Sequence, residues 1–263
     1  MLYRFTPIGV ASLIASSIAQ IKDIDTTFKS LGVFVGGYTL GIAIHQLLVI
    51  PVLWLIVMRT NPFKFLLTAF RPWITVFAPP SSAVGIPEVL NTCETKHGVD
   101  TRVSRFTVLF FASMSRMGSC YFICMASLFI ANLEGGNLEA VQVILITVVS
   151  SVGSLAIPSV PSASIITIII VLSSLDISAV KVGMLMALEW YTDRLRTTSN
   201  TLNNVAGTIF IYKFCKRALE VLDMEKDKRP SHGLGVNGNV YEQTVDDDEE
   251  NIMDQNRLNT TKL

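Results

Sequence analysis

Charge is scarce in this chain. Only 16% of its 263 residues are Asp, Glu, Lys or Arg, where a soluble domain carries about 25%. The formal net charge is zero, which argues against nucleic acid as a partner. Histidine is scarcer still: three residues, none paired with another at ligand spacing, which leaves no zinc motif and no hydrolase constellation. The four cysteines, Cys93, Cys120, Cys124 and Cys215, also lack metal-ligand spacing. Cys120 and Cys124 stand one helical turn apart in an apolar run and read as small core residues. The N-terminus runs from Met1 into an apolar segment without a basic leader or a clear cleavage site, so no removable signal peptide is expected. The polar residues form no nucleophile–base pair, and the chain is not expected to be an enzyme.

What is abundant is apolar sequence, at 50% of the chain. Four segments are long enough to cross a bilayer as helices: about Phe5–Ile21, Leu31–Val57, Phe106–Leu133 and Ala179–Phe214. Two further apolar stretches are broken in the middle. Phe63–Leu90 is interrupted by Ala78-Pro79-Pro80-Ser81-Ser82, and Val141–Leu175 by Ser154 to Ser164 with Pro158 and Pro161. Proline removes a backbone donor and clashes with the preceding turn, and non-helical backbone survives at membrane depth only inside protein or along water. Both stretches are therefore expected to be re-entrant hairpins, each two half-helices joined at a polar tip. Basic residues flank the first stretch on both sides (Arg59 and Lys64, then Lys96, Arg102 and Arg105), whereas Glu134, Glu139 and Asp176 flank the second. The positive-inside bias puts the ends of the first hairpin and the C-terminus in the cytoplasm and the ends of the second outside. Oppositely oriented broken helices are the signature of an inverted repeat around a midplane site.

The last span carries a polar ladder: Glu189, Asp193, Arg196, Thr197, Asn200 and Asn204, spaced to share one helix face. Three ionisable groups at mid-membrane, at ~2.5–3.5 kcal/mol each, would cost roughly 8–10 kcal/mol unless they pair or face a wet cavity. A soluble helix with a solvated face would present the same stripe, but the apolar spans around it favour a helix lining a solute site. Beyond it, the polar tail 220–263 contains Gly233, Gly235, Gly238 and an acidic run at 246–250. It is expected to be a disordered cytoplasmic extension. The chain thus divides into two helices over 1–58, a hairpin-bearing core over 59–219, and the tail.

Several separated blocks resemble the excitatory amino acid transporters, members of the dicarboxylate/amino acid:cation symporter family. They are Thr6-Pro7-Ile8-Gly9-Val10, Arg59-Thr60-Asn61-Pro62-Phe63, Phe129-Ile130-Ala131, Ala156 to Pro161, and Trp190 with Asp193-Arg194-Leu195-Arg196-Thr197, Asn200 and Gly207. The similarity extends from about Tyr3 to Leu219. It implies an all-α membrane protein of transmembrane helices and two oppositely oriented re-entrant hairpins, a multi-pass homotrimer in the plasma membrane surrounded by lipid. By this resemblance it moves acidic amino acids such as glutamate or aspartate with sodium as coupling ion and no other cofactor. Family members have eight transmembrane helices, and the matches here begin at the fifth, so a partial gene model and a truncated domain are both open.

Carried over position by position, the resemblance implies that Arg196 holds the substrate's side-chain carboxylate through its planar fork of donors. Asp193 accepts from the α-ammonium group, while Thr197 and Asn200 bond the rest of the head group. Ser81 and Ser82, Ser119, and Val160 with Pro161 complete the substrate site from the hairpin tips and the seventh helix. Read from the residues alone, Asp193 and Arg196 could equally neutralise each other as an i,i+3 pair. Ser115, Asn200 and Asn204 occupy sodium positions in degenerate form. The family's Asn-Met-Asp-Gly-Thr break appears as Ser115-Arg116-Met117-Gly118-Ser119, a second aspartate as Asn204, and the proton-carrying glutamate as Ile123. Each change removes charge or oxygen from a site that needs hard donors, so weakened coupling is expected. Arg116 adds a cation that either pairs with Glu189 or repels sodium. The alternative function is a non-transporting relative: an anion-conducting pore or a subunit that modifies a longer partner.

Overall fold

The computed structural model describes residue 12 and residues 24–135, 138–157 and 163–228. The first expected span, Phe5–Ile21, therefore lies outside the described residues apart from Ser12, as do most of the tail and the second hairpin's tip at 158–162. All regular structure among the described residues is helical.

α1 (Ile24–Ile44) runs through a single π turn (His45–Val49) into α2 (Ile50–Met58). Pro51 explains the change of pitch, because it cannot donate to the preceding ladder and sits where α2 begins anew. α2 ends on Arg59, whose left-handed φ of 55° lets its N–H bond to Leu55 O at 3.0 Å. α3 (Pro62–Phe77) then starts from an Asn61 cap that accepts from Phe63 N at 2.9 Å. The helical path Phe28–Met58 is long and apolar enough to cross a membrane, and so is Thr101–Leu133.

The first interrupted stretch breaks where its prolines stand. α3 is followed by a turn at 78–81 and by α4 (Ser82–Asn91), and the two helices pack on each other. Gly85 makes that possible, since a Cβ there would collide with Val76 of the other arm. In the second stretch α7 (Ala140–Leu155) and α8 (Ala163–Ser173) also pack together, with Thr167 Cγ2 2.9 Å from where a Gly153 Cβ would stand.

The third expected span is not continuous. α5 (Thr101–Met114) ends, Ser115 and Arg116 leave helical geometry, and α6 (Met117–Leu133) begins. Hydropathy alone does not show this break, whereas the resemblance placed one at Ser115–Ser119, and the helices separate there. The last span also differs from expectation. Val180–Val182 and α9 (Gly183–Met186) form short irregular turns, and the long helix α10 (Glu189–Lys228) starts at the first carboxylate of the ladder. An acidic residue at a helix N-terminus is favoured by the macrodipole. Lys181 anchors the lead-in by donating to Leu133 O at 2.6 Å and pairing with Glu134 at 3.4 Å.

Residues Met1–Lys216 form one compact unit and Arg217–Leu263 another. In the second, helix continues to Lys228, past Glu220 where loss of structure was expected. Its described side chains are mostly exposed, and the Ala, Leu, Glu and Lys of this stretch sustain helix by propensity alone.

The first unit has two apolar clusters. One joins Phe34, Tyr38 and Ile42 of α1 to Phe122, Ile123 and Ile130 of α6 and to Ile146, Ile168 and Leu172 of the second helix pair. The other joins Ile50 and Trp54 of α2 to Phe65 and Val89 of the first pair, Val108 of α5 and Leu202 to Ile209 of α10. Each cluster takes one half of each broken helix and one helical pair. The breaks at 45–49 and 115–116 fall where one cluster gives way to the other.

Asp100 caps α5. Its carboxylate accepts from Arg102 N at 2.8 Å and pairs with the Arg102 guanidinium at 2.9 Å. These hydrogen bonds hold its pKa down to about 2. A depressed carboxylate stabilises the fold at neutral pH and loses that contribution as pH falls toward 2. Asp100→Ala should cost about 0.5–2 kcal/mol while Asp100→Asn retains most of the cap. Thermal denaturation of the two variants at neutral pH checks the order.

Candidate functional site

α10 presents its polar face inward. Glu189, Thr192, Asp193, Arg196, Thr197, Thr198, Ser199, Asn200, Thr201 and Asn204 are all buried. Such a density of buried polar groups is tolerable only when they are paired, and most here are.

Arg196 is the centre of the arrangement. Its Nε donates to Asp193 Oδ1 at 3.1 Å, and one terminal nitrogen pairs with the same oxygen. That nitrogen also stands 3.6 Å from Glu189 Oε1. The other terminal nitrogen donates to Ser164 Oγ on α8. The guanidinium lies over the Phe122 ring of α6, 5.4 Å from its centroid, a further stabilising contact for a buried cation. The i,i+3 pairing of Asp193 and Arg196, open from sequence, is formed. Glu189 engages Arg196 rather than Arg116, and neither carboxylate oxygen of Glu189 has a hydrogen-bond partner.

One turn along, Asn200 Oδ1 accepts from Gly118 N at 2.8 Å, and its Nδ2 donates to Ser119 Oγ at 3.3 Å. The break before α6 thus meets α10 directly. Gly118 is required for this approach: a Cβ would lie 2.5 Å from Arg196 O and 3.1 Å from Ser199 Cβ. Of the expected substrate residues, Asp193 and Arg196 are joined directly, as are Asn200 and Ser119. Thr197 lies buried between them in sequence on the same helix. Ser81 is the N-cap of α4 in extended geometry, with no side-chain cap bond, and Ser82 begins that helix, so the first N–H groups of α4 belong to the turn. Val160 and Pro161 lie outside the described residues.

Two of the three expected sodium positions, Asn200 and Asn204, have their amides engaged within the protein. Asn204 Nδ2 donates to Val108 O at 3.1 Å, and its Oδ1 accepts from Thr208 at 3.4 Å. The Asn200 oxygen is taken by Gly118. Ser115 ends α5 with its N–H on Phe111 O at 2.8 Å, and lines a cavity of about 180 Å³ with Met117 and Asn203. No carboxylate belongs to the set.

Family membership is decided by a match over most of the chain. Residues 1–214 match the model of the sodium:dicarboxylate symporter family. This chain belongs to that family. Among curated relatives it is 32% identical over 223 residues to excitatory amino acid transporter 3 of Mus musculus, covering 85% of this chain and 42% of the relative. To the excitatory amino acid transporter of Caenorhabditis elegans it is 30% identical over 250 residues, 93% of this chain and 50% of the relative. Excitatory amino acid transporter 2 of Rattus norvegicus is 28% identical over 251 residues, 95% and 44% respectively. The chain spans about half the length of the curated relatives it matches.

Several contacts were beyond sequence reasoning. His45 Nδ1 bonds Ser199 Oγ at 2.9 Å, and Gln46 bridges Thr198 Oγ1 at 3.2 Å and Trp73 Nε1 at 3.0 Å. The π turn places these consecutive residues on α10. Polar residues inside the apolar span were the available signal. Of the partners of Arg196, Ser164 stood in the polar interruption of the second stretch, while Phe122 carried no signal.

If the α6–α10 approach depends on Gly118, Gly118→Ala should destabilise the protein and loosen the Asn200 contacts, because the nearest atom to the new methyl is backbone. A core overpacking of this kind costs about 1–3 kcal/mol. An unchanged melting temperature would show that the helices separate freely.

Proposed function

We propose that this chain forms the substrate-handling part of a secondary active transporter for acidic amino acids such as glutamate or aspartate, coupled to sodium more weakly than its relatives. Family membership supports the transport class and a multi-pass membrane protein. The relatives' printed names supply the substrate class by analogy. The single observation that carries the substrate reading is Arg196, a buried guanidinium held against two carboxylates and a hydroxyl. An incoming side-chain carboxylate can exchange for the Glu189 or Ser164 contact while Asp193 turns to the ammonium group. Arg196 and Asp193 then exchange internal bonds for equivalent ones to the ligand and stay paired, while Glu189 is released from its contact. Asn200, Thr197 and Ser119 follow along the same face for the head group. Ser81 and Ser82, at the start of α4, offer backbone N–H groups that suit the α-carboxylate. In this reading the two packed helix pairs are re-entrant hairpins of opposite orientation, the plasma membrane is the location, and three copies assemble as a homotrimer in lipid.

A second reading draws on the committed amides of Asn200 and Asn204 and on the missing carboxylates. With no ion to drive uptake, the chain would be a non-transporting relative, an anion-conducting pore or a subunit modifying a longer partner. Uptake of radiolabelled aspartate against sodium concentration, in cells that lack endogenous uptake, separates the two. Saturable uptake supports the transporter, and its absence with intact surface expression supports the relative.

Arg196→Cys should abolish acidic substrate binding. Losing a charge-assisted bidentate contact and leaving Asp193 unpaired should cost roughly 2–5 kcal/mol, about 30- to several-thousand-fold in affinity. Aspartate binding that survives unchanged would remove Arg196 from the site. Topology has its own check. A cysteine at Glu139, in a chain lacking the native ones, should react with an impermeant maleimide in intact cells. Reaction only after permeabilisation would place the 133–139 loop inside.

A further inference from the structure

Glu189 is 5% exposed, and its contact with Arg196 at 3.6 Å leaves both of its oxygens without a hydrogen bond. The charged groups that act on it are Arg196 and Asp193. A ligand carboxylate that takes the guanidinium would leave it a buried anion beside a second acid, without a donor, a state that low-dielectric surroundings penalise heavily. Either Glu189 then takes up a proton, or another donor reaches it. α1 holds such a donor. Tyr38 is fully buried, and its hydroxyl donates to Thr192 O at 3.2 Å, one turn along α10 from Glu189. Glu189, Asp193 and Arg196 all act electrostatically on that hydroxyl. Its present bond is replaceable, because inside α10 Thr192 O also accepts from Arg196 N. The ring is fixed more firmly. It meets Phe122 edge-on at 5.6 Å and stacks on Tyr121 at 5.5 Å, and Phe122 is the ring under the Arg196 guanidinium. The neighbouring Thr39 spends its own proton on Val35 O at 2.7 Å, so at 2.8 Å it accepts from the Tyr191 hydroxyl. That bond keeps α10 seated on α1 when the Tyr38 hydroxyl turns away.

We propose that Tyr38 is the second partner of Glu189: when a ligand carboxylate takes Arg196, the Tyr38 hydroxyl turns from Thr192 O to the freed Glu189 carboxylate, which stays ionised. This rests on the reading of Asp193 and Arg196 as the substrate site, and it specifies how that site houses its own displaced acid. Tyr38 touches no ligand in this scheme and is a positioning residue that acts through Glu189. The other hydroxyl at the site, Ser164, already holds the guanidinium from α8.

The experiment is calorimetric titration of the full chain in detergent with aspartate at neutral pH, in two buffers of different ionisation enthalpy. It yields both an affinity and the number of protons taken up. The natural chain, Tyr38→Phe, Glu189→Gln and the double variant form a double-mutant cycle, which isolates the interaction between the two side chains. Tyr38→Phe should weaken aspartate binding about 10- to 100-fold, the worth of a hydrogen bond to a charged group, and should add proton uptake. It should melt close to the natural chain, since Thr192 O keeps its helical partner. With Glu189→Gln already present there is no charge to house, and Tyr38→Phe should change the affinity less than about threefold. The proton count should be the same for the natural chain and Glu189→Gln. Equal losses from Tyr38→Phe in both backgrounds overturn the proposal and leave Tyr38 a purely structural residue. Proton uptake by the natural chain that Glu189→Gln abolishes also overturns it, even if Tyr38→Phe does not fold. So does a cycle in which Ser164→Ala, and not Tyr38→Phe, couples to Glu189. Failure of the substrate reading looks different: aspartate then gives no binding heat with the natural chain, and the proposal falls with that reading.

Discussion

The structure depends on keeping buried charge in balance. Arg196 is buried, with the Phe122 ring under its guanidinium, on a helix that packs into an apolar core. In such surroundings an unpaired ion costs several kcal/mol even after relaxation. Asp193 therefore has to stand one turn from Arg196, Glu189 has to reach the same nitrogen, and Ser164 has to come in from α8 to take the remaining donor. Each requirement fixes an element. The start of α10 at Glu189, the position of α8 against it, and the packing of α6 through Phe122 all follow from where the guanidinium is satisfied.

That polar layer also explains why the two long apolar paths are broken. The π turn at His45–Val49 and the non-helical Ser115–Arg116 lie at the level where the apolar clusters give way to the polar face of α10. A continuous α-helix would turn its side chains away at 100° per residue and keep its backbone groups to itself. The π turn instead delivers His45 and Gln46 together to Ser199 and Thr198. The break before α6 frees the Gly118 N–H for Asn200. Substrate sites in transporters of this kind are made of backbone released at helix ends, and here the release happens twice at one layer.

Much of this was legible in the sequence, for identifiable reasons. Pro79 and Pro80 forced the turn at 78–81, and the polar ladder fixed which face of α10 points inward. What could not be read was local and geometrical. The α5–α6 break has no proline and its single glycine follows it, so hydropathy showed one span from Phe106 to Leu133, and only the family resemblance pointed to a break at Ser115–Ser119. The apolar residues Val180–Leu188 passed for the first turns of the last helix, whereas Lys181 holds them in short turns against Leu133 and Glu134. Glu189 appeared in the ladder, but nothing in its spacing showed that it would reach Arg196. Its longer side chain, compared with aspartate, is what spans two helical turns to the guanidinium.

The same geometry bears on the proposed exchange at Arg196. Arg196 has three protein partners of unequal quality. Asp193 holds two of its nitrogens through one oxygen, while Glu189 approaches to 3.6 Å with both oxygens lacking hydrogen bonds. The second contact is the cheaper one to give up, because an ion pair without hydrogen bonds recovers little of the desolvation it cost. A carboxylate with two oxygens in the plane of the guanidinium would form the parallel pair that Glu189 does not. Exchange at Arg196 is therefore favourable for a ligand that brings its own acid and base, the acid to replace Glu189 and the base to occupy Asp193. An anion without an ammonium group would leave the aspartate facing a negative charge. In the proposed reading, discrimination in favour of amino acids over simple dicarboxylates would rest on Asp193, one turn from the arginine it now neutralises.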